Sequence, residues 1–316
     1  MARVKLMLSI LGAILVGETL LTRPAHSADS DNDPLLEEYM SVDHPPEFAT
    51  PEQAVEAFKT AVANFDELAQ LLGLNAAKAK LSDGAASNYD AIKAGTKEKL
   101  IVTDQGDDKV LEIGNQLWPL PFPLVKTKNG RWSFDTYAGL EEIADRRVGE
   151  NELSTIDTMR AYVDAQEDYA SQDRDDDGIE EYAQKLISGD GKHDGLYWPS
   201  EQGVVQQSPA GPDLVEGDAL EKAKAGLGYN GYRYRILTAQ GDNVAGGRFN
   251  YIINGNMIAG FGLIAWPVKY GITGVKSFVV NKSGIVYEAD LGERTGEIAD
   301  KIRTFNPQDQ WDVAKE

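Results

Sequence analysis

The residues best suited to chemistry form an acidic run in the middle of the chain. Carboxylates alternate at Asp173, Asp175 and Asp177, and Gly178 follows them directly. In calcium loops of the EF-hand type, alternate carboxylates fold around the ion and a glycine makes the sharp turn. This spacing predicts a calcium site, in which Ile179 supplies its main-chain carbonyl oxygen.

The run departs from a complete EF-hand loop at the twelfth position. Gln184 stands where a bidentate glutamate closes the calcium shell, and Glu181 is the side chain that could compensate. Calcium is favoured over magnesium because many flexible oxygen ligands suit its larger shell. The alternative interpretation is a solvated acidic turn at a helix end without a bound ion, which is common in acidic chains.

A second candidate is the loop that contains Lys192, His193 and Asp194 and continues into Tyr197 and Trp198. An imidazole titrates near neutrality, so His193 could act as a general base that Asp194 orients. Adjacent residues rarely direct both side chains at one proton, and no nucleophile is identifiable in the sequence. We therefore favour a packed surface loop that Tyr197 and Trp198 anchor.

The composition limits the classes of partner and cofactor. The chain has 316 residues, with 51 acidic against 31 basic side chains and a formal net charge of -20. Because so acidic a surface repels phosphate backbones, we expect no nucleic-acid partner. The absence of cysteine excludes disulfides, thiolate nucleophiles, iron–sulfur clusters and cysteine-ligated zinc.

The N-terminus predicts export. Residues 1–27 have the parts of a Sec-type signal peptide: Arg3 and Lys5, an apolar stretch, and a small-residue cleavage site before Ala28. The apolar stretch is too short to span a bilayer, so we expect no transmembrane segment in the mature chain. The prediction is a periplasmic or secreted bacterial protein.

The elements that must position the candidate residues are predicted as two α+β units. Residues 28–48 predict a flexible acidic leader, and residues 49–137 a small unit of helices followed by a strand meander. In this unit Thr50 predicts a helix cap, and Asn129-Gly130 a hairpin turn.

Residues 138–316 predict the second unit. Helical segments over 138–147 and 151–170 come first, and the apolar period then changes from 3.6 to 2. On the second segment, apolar residues recur on one face: Leu153, Ile156, Met159, Val163 and Tyr169. We expect this face to pack on an antiparallel sheet, because the strands need a helix to cover their apolar side.

Several stretches resemble one protein family. They include RAYVDAQEDYASQDRDDDGIEEYAQKLIS, KHDGLYWP, GYRYRILTAQG and MIAGFGLIAWPVKYGITGVKSFVVNKSGIVYEADLG. Together they are closely similar to the DUF2950 family of exported bacterial proteins, across nearly all of the mature chain. The resemblance implies no established activity.

Two remoter resemblances concern architecture. The helix residues Asn151, Glu152, Ile156, Arg160, Gln166 and Tyr169, with Gly231-Tyr232 and Thr273-Gly274 of the strands, are similar to globular domains of type IV pilins and type II secretion pseudopilins. This resemblance implies a pilin-like second unit, although pilins place the helix directly behind a membrane segment. Residues 49–137 resemble an NTF2-like cone, whose first helix has a pattern similar to PEQAVEAF.

Two functions follow from these observations. The first is a non-enzymatic cell-envelope protein with a calcium-stabilised loop, which binds or assembles with an envelope protein or a surface polymer. The alternative is a periplasmic hydrolase that uses carboxylates and His193. A concave pocket that joins His193 to Asp135 or Glu142 would favour the hydrolase, whereas a shallow surface with exposed aromatics would favour the binding protein.

Overall fold

A computed structural model describes residues 34–82, 84–174, 177–199, 208–210 and 228–315. Its helices and antiparallel sheets confirm the α+β class. The predicted signal peptide (1–27) and Asp175 of the predicted calcium site lie outside the described residues.

The first unit packs short helices on an antiparallel sheet. The helices are α1 (Pro34–Glu37), α2 (Pro51–Ala61), α3 (Phe65–Leu71), α4 (Ala76–Lys80) and α5 (Ala85–Glu98), and the strands are β1 (Leu100–Gln105), β2 (Asp108–Ile113), β3 (Trp118–Pro119), β4 (Leu124–Lys126) and β5 (Trp132–Phe134). The strand order is β1-β2-β4-β5, and β3 pairs with β2. Phe58, Leu111 and Phe134 are buried at the centre of this core.

The described part of the leader lies along the first unit. Ser41 donates its main-chain N–H to the oxygen of Gly73 at 2.8 Å. Phe48 and Trp132 exchange both main-chain hydrogen bonds, at 2.7 and 2.8 Å, so Phe48 extends the sheet beyond β5. This segment is therefore held by main-chain pairing, which differs from the flexible leader that its polar, proline-rich sequence predicts.

One continuous helix connects the two units. Helix α6 (Thr136–Tyr169) has 34 residues and includes the predicted helical segment over 138–147 and that over 151–170 as far as Tyr169, together with the residues between them. Asp135 caps its start by accepting from the N–H of Ala138 at 3.0 Å. Ile143 in its first half packs against the first core, and Met159 in its second half is buried in the second core. Across the described ranges, no helix combines the length and the apolarity needed to cross a membrane.

The second unit is built on a larger antiparallel sheet. Its elements are β6 (Tyr232–Leu237), β7 (Ala239–Gln240), β8 (Phe249–Asn250), β9 (Ile252–Ile253), β10 (Asn256–Met257), β11 (Gly262–Pro267), β12 (Lys276–Asn281), β13 (Tyr287–Asp290), α7 (Thr295–Ala299) and β14 (Asp312–Val313). The strand order is β14-β13-β12-β11-β6, and the shorter pairs β7-β8 and β9-β10 lie outside this sheet.

Both faces of the larger sheet are covered. Phe278 and Tyr232 face the helix α6, and Val279 and Trp266 belong to the cluster that packs on α7 and the C-terminal segment. Alternate residues of one strand therefore enter different cores, as the period-2 pattern predicts.

The buried face of α6 in this unit is more polar than its sequence predicts. Ile156 and Met159 are buried as expected, but Leu153 is 50% exposed. Tyr162 and Gln166 are buried in the core. Their polar groups are satisfied there, because the Gln166 amide donates to the Tyr162 hydroxyl at 2.9 Å and to the oxygen of Ala183 at 2.9 Å. A hydrogen-bonded polar pair thus occupies part of the face where the apolar pattern of the sequence predicts only apolar side chains.

Candidate functional site

The described residues of the acidic run, 173–174 and 177–181, follow α6 and turn at Gly178. One carboxylate oxygen of Asp173 accepts from the N–H of Gly178 at 2.8 Å, and Asp177 accepts from the N–H of Ile179 at 2.8 Å. Gly178 has a φ of +87°, a conformation that glycine adopts without steric cost. The sharp turn that the sequence predicts at this glycine is therefore present.

The β9–β10 hairpin holds the second half of the run. Glu181 accepts from the N–H of Met257 at 2.7 Å through Oε2, and the amide of Asn256 donates to Asp177 at 2.9 Å. The N–H of Tyr182 also donates to the oxygen of Met257 at 2.8 Å. The described residues 177–181 are thus tied to this hairpin through Asp177 and Glu181.

The predicted calcium ligands are placed only in part. Asp173, Asp177, Ile179 and Glu181 belong to this turn, and Asp175 lies outside the described residues. Within the part of the chain that the structure describes, no group of three or more His, Asp or Glu side chains is placed to hold a metal ion. The calcium site therefore stays a prediction.

Arg174 joins the acidic run to the neighbouring loop. Its side chain is only 3% exposed although it is charged. The guanidinium carbon lies 5.2 Å from the ring centre of Tyr169 and 5.6 Å from that of Trp198. Its nitrogens also donate to the oxygens of Tyr169 at 3.0 Å and Asp168 at 3.1 Å, at the end of α6. Cation–π contacts and the helix-end carbonyls together compensate the burial of this charge.

The loop over 185–198 closes on itself around a cleft. The N–H of Ser188 donates to the oxygen of Tyr197 at 2.8 Å, and the N–H of Tyr197 donates to Leu186 at 3.0 Å. A side chain at Gly195 would clash with this neck, because its Cβ would lie 2.7 Å from the nitrogen of Ser188. The cleft has a volume of about 140 Å³, and its lining includes Ser188, Asp190, Lys192, His193, Tyr197 and Trp198.

His193 and Asp194 have different partners. The ring of His193 stacks on Trp198 with centroids 4.4 Å apart and an interplanar angle of 25°. Asp194 accepts from the ammonium of Lys185 at 2.6 Å and from the N–H of Gly189 at 2.8 Å. These two bonds, that from Lys185 above all, hold the pKa of Asp194 below its ordinary value. The arrangement agrees with a packed loop that Trp198 anchors, rather than with a histidine–aspartate base.

The other carboxylates considered for a hydrolase lie far from His193 along α6. The Tyr169 hydroxyl donates to the oxygen of His193 at 3.0 Å, so His193 sits at the C-terminal end of the helix. Asp135 caps the opposite end, about 50 Å away for a helix of 34 residues. Glu142, two turns further along, pairs with Arg146 at 2.8 Å. One pocket cannot join His193 to either carboxylate.

Arg174 and the cleft are the parts of the site that sequence reasoning missed, whereas the loop that Tyr197 and Trp198 anchor was a candidate. An arginine inside an acidic run was the available signal for Arg174, because a cation in that position neutralises its neighbours. The cleft had a weaker signal in the closely spaced glycines Gly189, Gly191 and Gly195. Neither signal identifies Trp198 as the contact that brings the two loops together.

Comparison with known proteins adds a family. A family model described as "Protein of unknown function (DUF2950)" matches residues 46–314. No curated protein and no solved structure matches the chain. The family match includes both units, the acidic run and the cleft loop.

Proposed function

The chain belongs to the DUF2950 family, and we propose that it is an exported protein of the bacterial cell envelope that binds a partner rather than catalysing a reaction. The observation that carries this proposal is the cleft of the 185–198 loop, which Arg174 connects to the acidic run. The carboxylate next to His193 is engaged with Lys185, so it does not act on the imidazole. The partner that this surface fits is an envelope protein or a surface polymer.

We further propose that the acidic run binds calcium through Asp173, Asp175, Asp177, Glu181 and the carbonyl of Ile179. The turn at Gly178 and the tethering of Glu181 to the hairpin support this proposal, because they shape the run before an ion arrives. A bound cation would reduce the repulsion between the carboxylates and add its binding free energy to folding.

We also infer a pilin-like second unit and an NTF2-like first unit. The long helix α6 against the antiparallel meander β11–β12–β13 supports the first inference. The order of capped helices before a meander supports the second. In the second unit, α7 and the C-terminal segment add a layer on the side of the sheet opposite α6.

A capture experiment tests the proposed function. The mature chain is immobilised and exposed to envelope extract with calcium or with a chelator, and the bound protein and polymer are analysed. We expect a partner that is specifically retained with calcium and reduced by the chelator. The variant Asp177→Asn should lose calcium dependence, while Asp164→Asn, an exposed acid on α6, should retain it. Recovery of no specific partner in either condition contradicts the binding role.

Calcium titration of the same proteins tests the metal proposal directly. Isothermal calorimetry should give a saturable heat with the original chain and with Asp164→Asn, and a weaker one with Asp177→Asn. At calcium one hundred times the dissociation constant, the folded state should gain about 2.7 kcal/mol. A flat titration of the original chain would remove calcium from the proposal.

A further inference from the structure

We propose that the cleft of the 185–198 loop binds one neutral sugar unit of a surface glycan. This inference rests on the proposed binding function and specifies its ligand. The cleft volume of about 140 Å³ is the first reason. It is close to the roughly 150 Å³ of a cavity that takes up benzene, so this open cleft has room for one face of a six-membered ring, whose remaining atoms stay in solvent. A chain of rings would place one unit inside and the others across the surface.

The chemistry of the lining is the second reason. Ser188, Asp190 and Lys192 line the cleft, and their hydroxyl, carboxylate and ammonium groups are of the kinds that bond to sugar hydroxyls. The Ser188 hydroxyl donates to the oxygen of Gly195 at 3.3 Å, so it is an acceptor for the ligand. Tyr197 is half-buried and presents part of a ring, against which the C–H face of a sugar packs. A few convergent polar groups beside aromatic surface are typical of sites that orient a small ligand.

His193 completes the lining as a fixed polar group. Its ring rests on Trp198 and is partly exposed, and its main-chain oxygen accepts from the Tyr169 hydroxyl at 3.0 Å. The ring nitrogens of an imidazole form hydrogen bonds with hydroxyl groups such as those of a sugar. The stack on Trp198 therefore gives His193 a role that needs no general-base chemistry.

Charge favours a neutral ligand over an ionic one. Asp190 and Lys192 both line the cleft and offset each other, and the carboxylate of Asp194 is already paired with Lys185. A net charge of -20 over the whole chain disfavours the approach of anions. Because the charges of Asp190 and Lys192 offset each other, a cation gains no net attraction inside the cleft. Uncharged hydroxyl-rich rings need no such attraction.

The loop is held in shape without a ligand. Asp194 connects Lys185 to the N–H of Gly189, and the neck is closed by the main-chain bonds between Ser188 and Tyr197. Arg174 also contacts the loop through the ring of Trp198. A site that is already ordered loses little conformational entropy on binding, which suits the weak contacts of a single sugar.

Titration with defined oligosaccharides tests this inference on the full mature chain. The probes are chitotetraose and cellotetraose, which are neutral, and tetragalacturonate, which is anionic; binding is measured by isothermal calorimetry. We expect saturable binding of at least one neutral probe, and affinity for tetragalacturonate at least about tenfold weaker, which corresponds to 1.4 kcal/mol.

Variants locate the binding in the cleft. Tyr197→Ala removes the ring surface and Asp190→Asn removes a charged acceptor, and each should weaken the neutral probe about tenfold. Asp190 is exposed, so its variant tests the site even if Tyr197→Ala folds poorly. The control is Tyr270→Ala, which removes a tyrosine paired with Asp290 away from the cleft and should leave the affinity unchanged.

The results separate this inference from the proposed function. No saturable binding of either neutral probe, stronger binding of tetragalacturonate, or undiminished binding by both cleft variants overturns the sugar assignment. If the capture experiment then still recovers a calcium-dependent partner, the binding role stands and its ligand is a different class. If capture fails while a neutral probe binds at the cleft, the sugar assignment stands, and the proposal of a calcium-dependent envelope partner is overturned.

Discussion

At the scale of single residues, Arg174 connects the two features of the candidate site. It lies between two predicted calcium ligands in the sequence, yet its guanidinium is buried against Tyr169 and Trp198. A calcium ion bound by Asp173 and Asp175 would therefore be held by the residues directly next to Arg174, whose side chain contacts the cleft loop.

Replacing Arg174 by methionine should destabilise the protein by about 2 to 3 kcal/mol, because the variant loses cation–π contacts and charge-assisted bonds to the end of α6. Urea unfolding followed by circular dichroism measures this change. The control is Arg248→Met, since Arg248 is 75% exposed and pairs with Asp242 at 2.8 Å on the surface. Its effect should stay below about 0.5 kcal/mol, and equal effects of the two variants would show that Arg174 has no special role.

Asp194 makes stability depend on acid. Its folded-state pKa is lowered, first by the bond from Lys185 and then by that from Gly189, so its contribution is present above the unfolded pKa of about 3.9. That contribution is lost as pH falls through the folded pKa. The melting temperature of the original chain should exceed that of Asp194→Asn by a constant amount above about pH 5, and the difference should shrink below pH 4. A pH-independent difference would mean that the charge of Asp194 is not what stabilises the loop.

At the scale of elements, α6 contains two glycines with opposite surroundings. A Cβ at Gly139 would lie 2.0 Å from Cδ1 of Phe122, whereas a Cβ at Gly149 would meet nothing within 4 Å. The first glycine allows the ring of Phe122 to lie against the helix, and the second only weakens the helix.

These surroundings predict opposite signs for the same substitution. Gly149→Ala should stabilise the protein by about 0.5 to 1 kcal/mol through helix propensity. Gly139→Ala should destabilise it by about 1 to 3 kcal/mol, because the new methyl overlaps a buried ring. Urea denaturation of the two variants checks both values, and stabilisation by Gly139→Ala would contradict the packing described for Phe122.

Local patterns in the sequence predicted helix caps and turns correctly, but they did not predict contacts between residues far apart in the chain. Thr50 caps α2, and Asn129-Gly130 makes the turn between β4 and β5, because both depend on residues close in the chain. The pairing of Phe48 with Trp132 uses main-chain atoms, so no pattern of side chains predicts it. The contact of Arg174 with Trp198 joins two loops, and neither loop has a period that could be read.

At the scale of the whole molecule, the proposed export can be tested by processing. Expression of the full chain in a bacterial host, followed by fractionation and intact-mass measurement, should give a periplasmic or secreted protein that begins at Ala28. Replacing the apolar signal residue Leu11 by arginine should leave the longer precursor in the cytoplasm, because the apolar region is interrupted. An unprocessed original chain in the cytoplasm would contradict the proposal.

The continuity of α6 also affects how the two units can evolve. Its first half contributes to one core and its second half to the other, so a break between the units leaves each with an incomplete apolar cluster. Gene fission or exchange of one unit by recombination would therefore expose a surface that only the lost half covers. The two units are expected to pass from ancestor to descendant as a single piece, and the family match over 46–314 spans both of them.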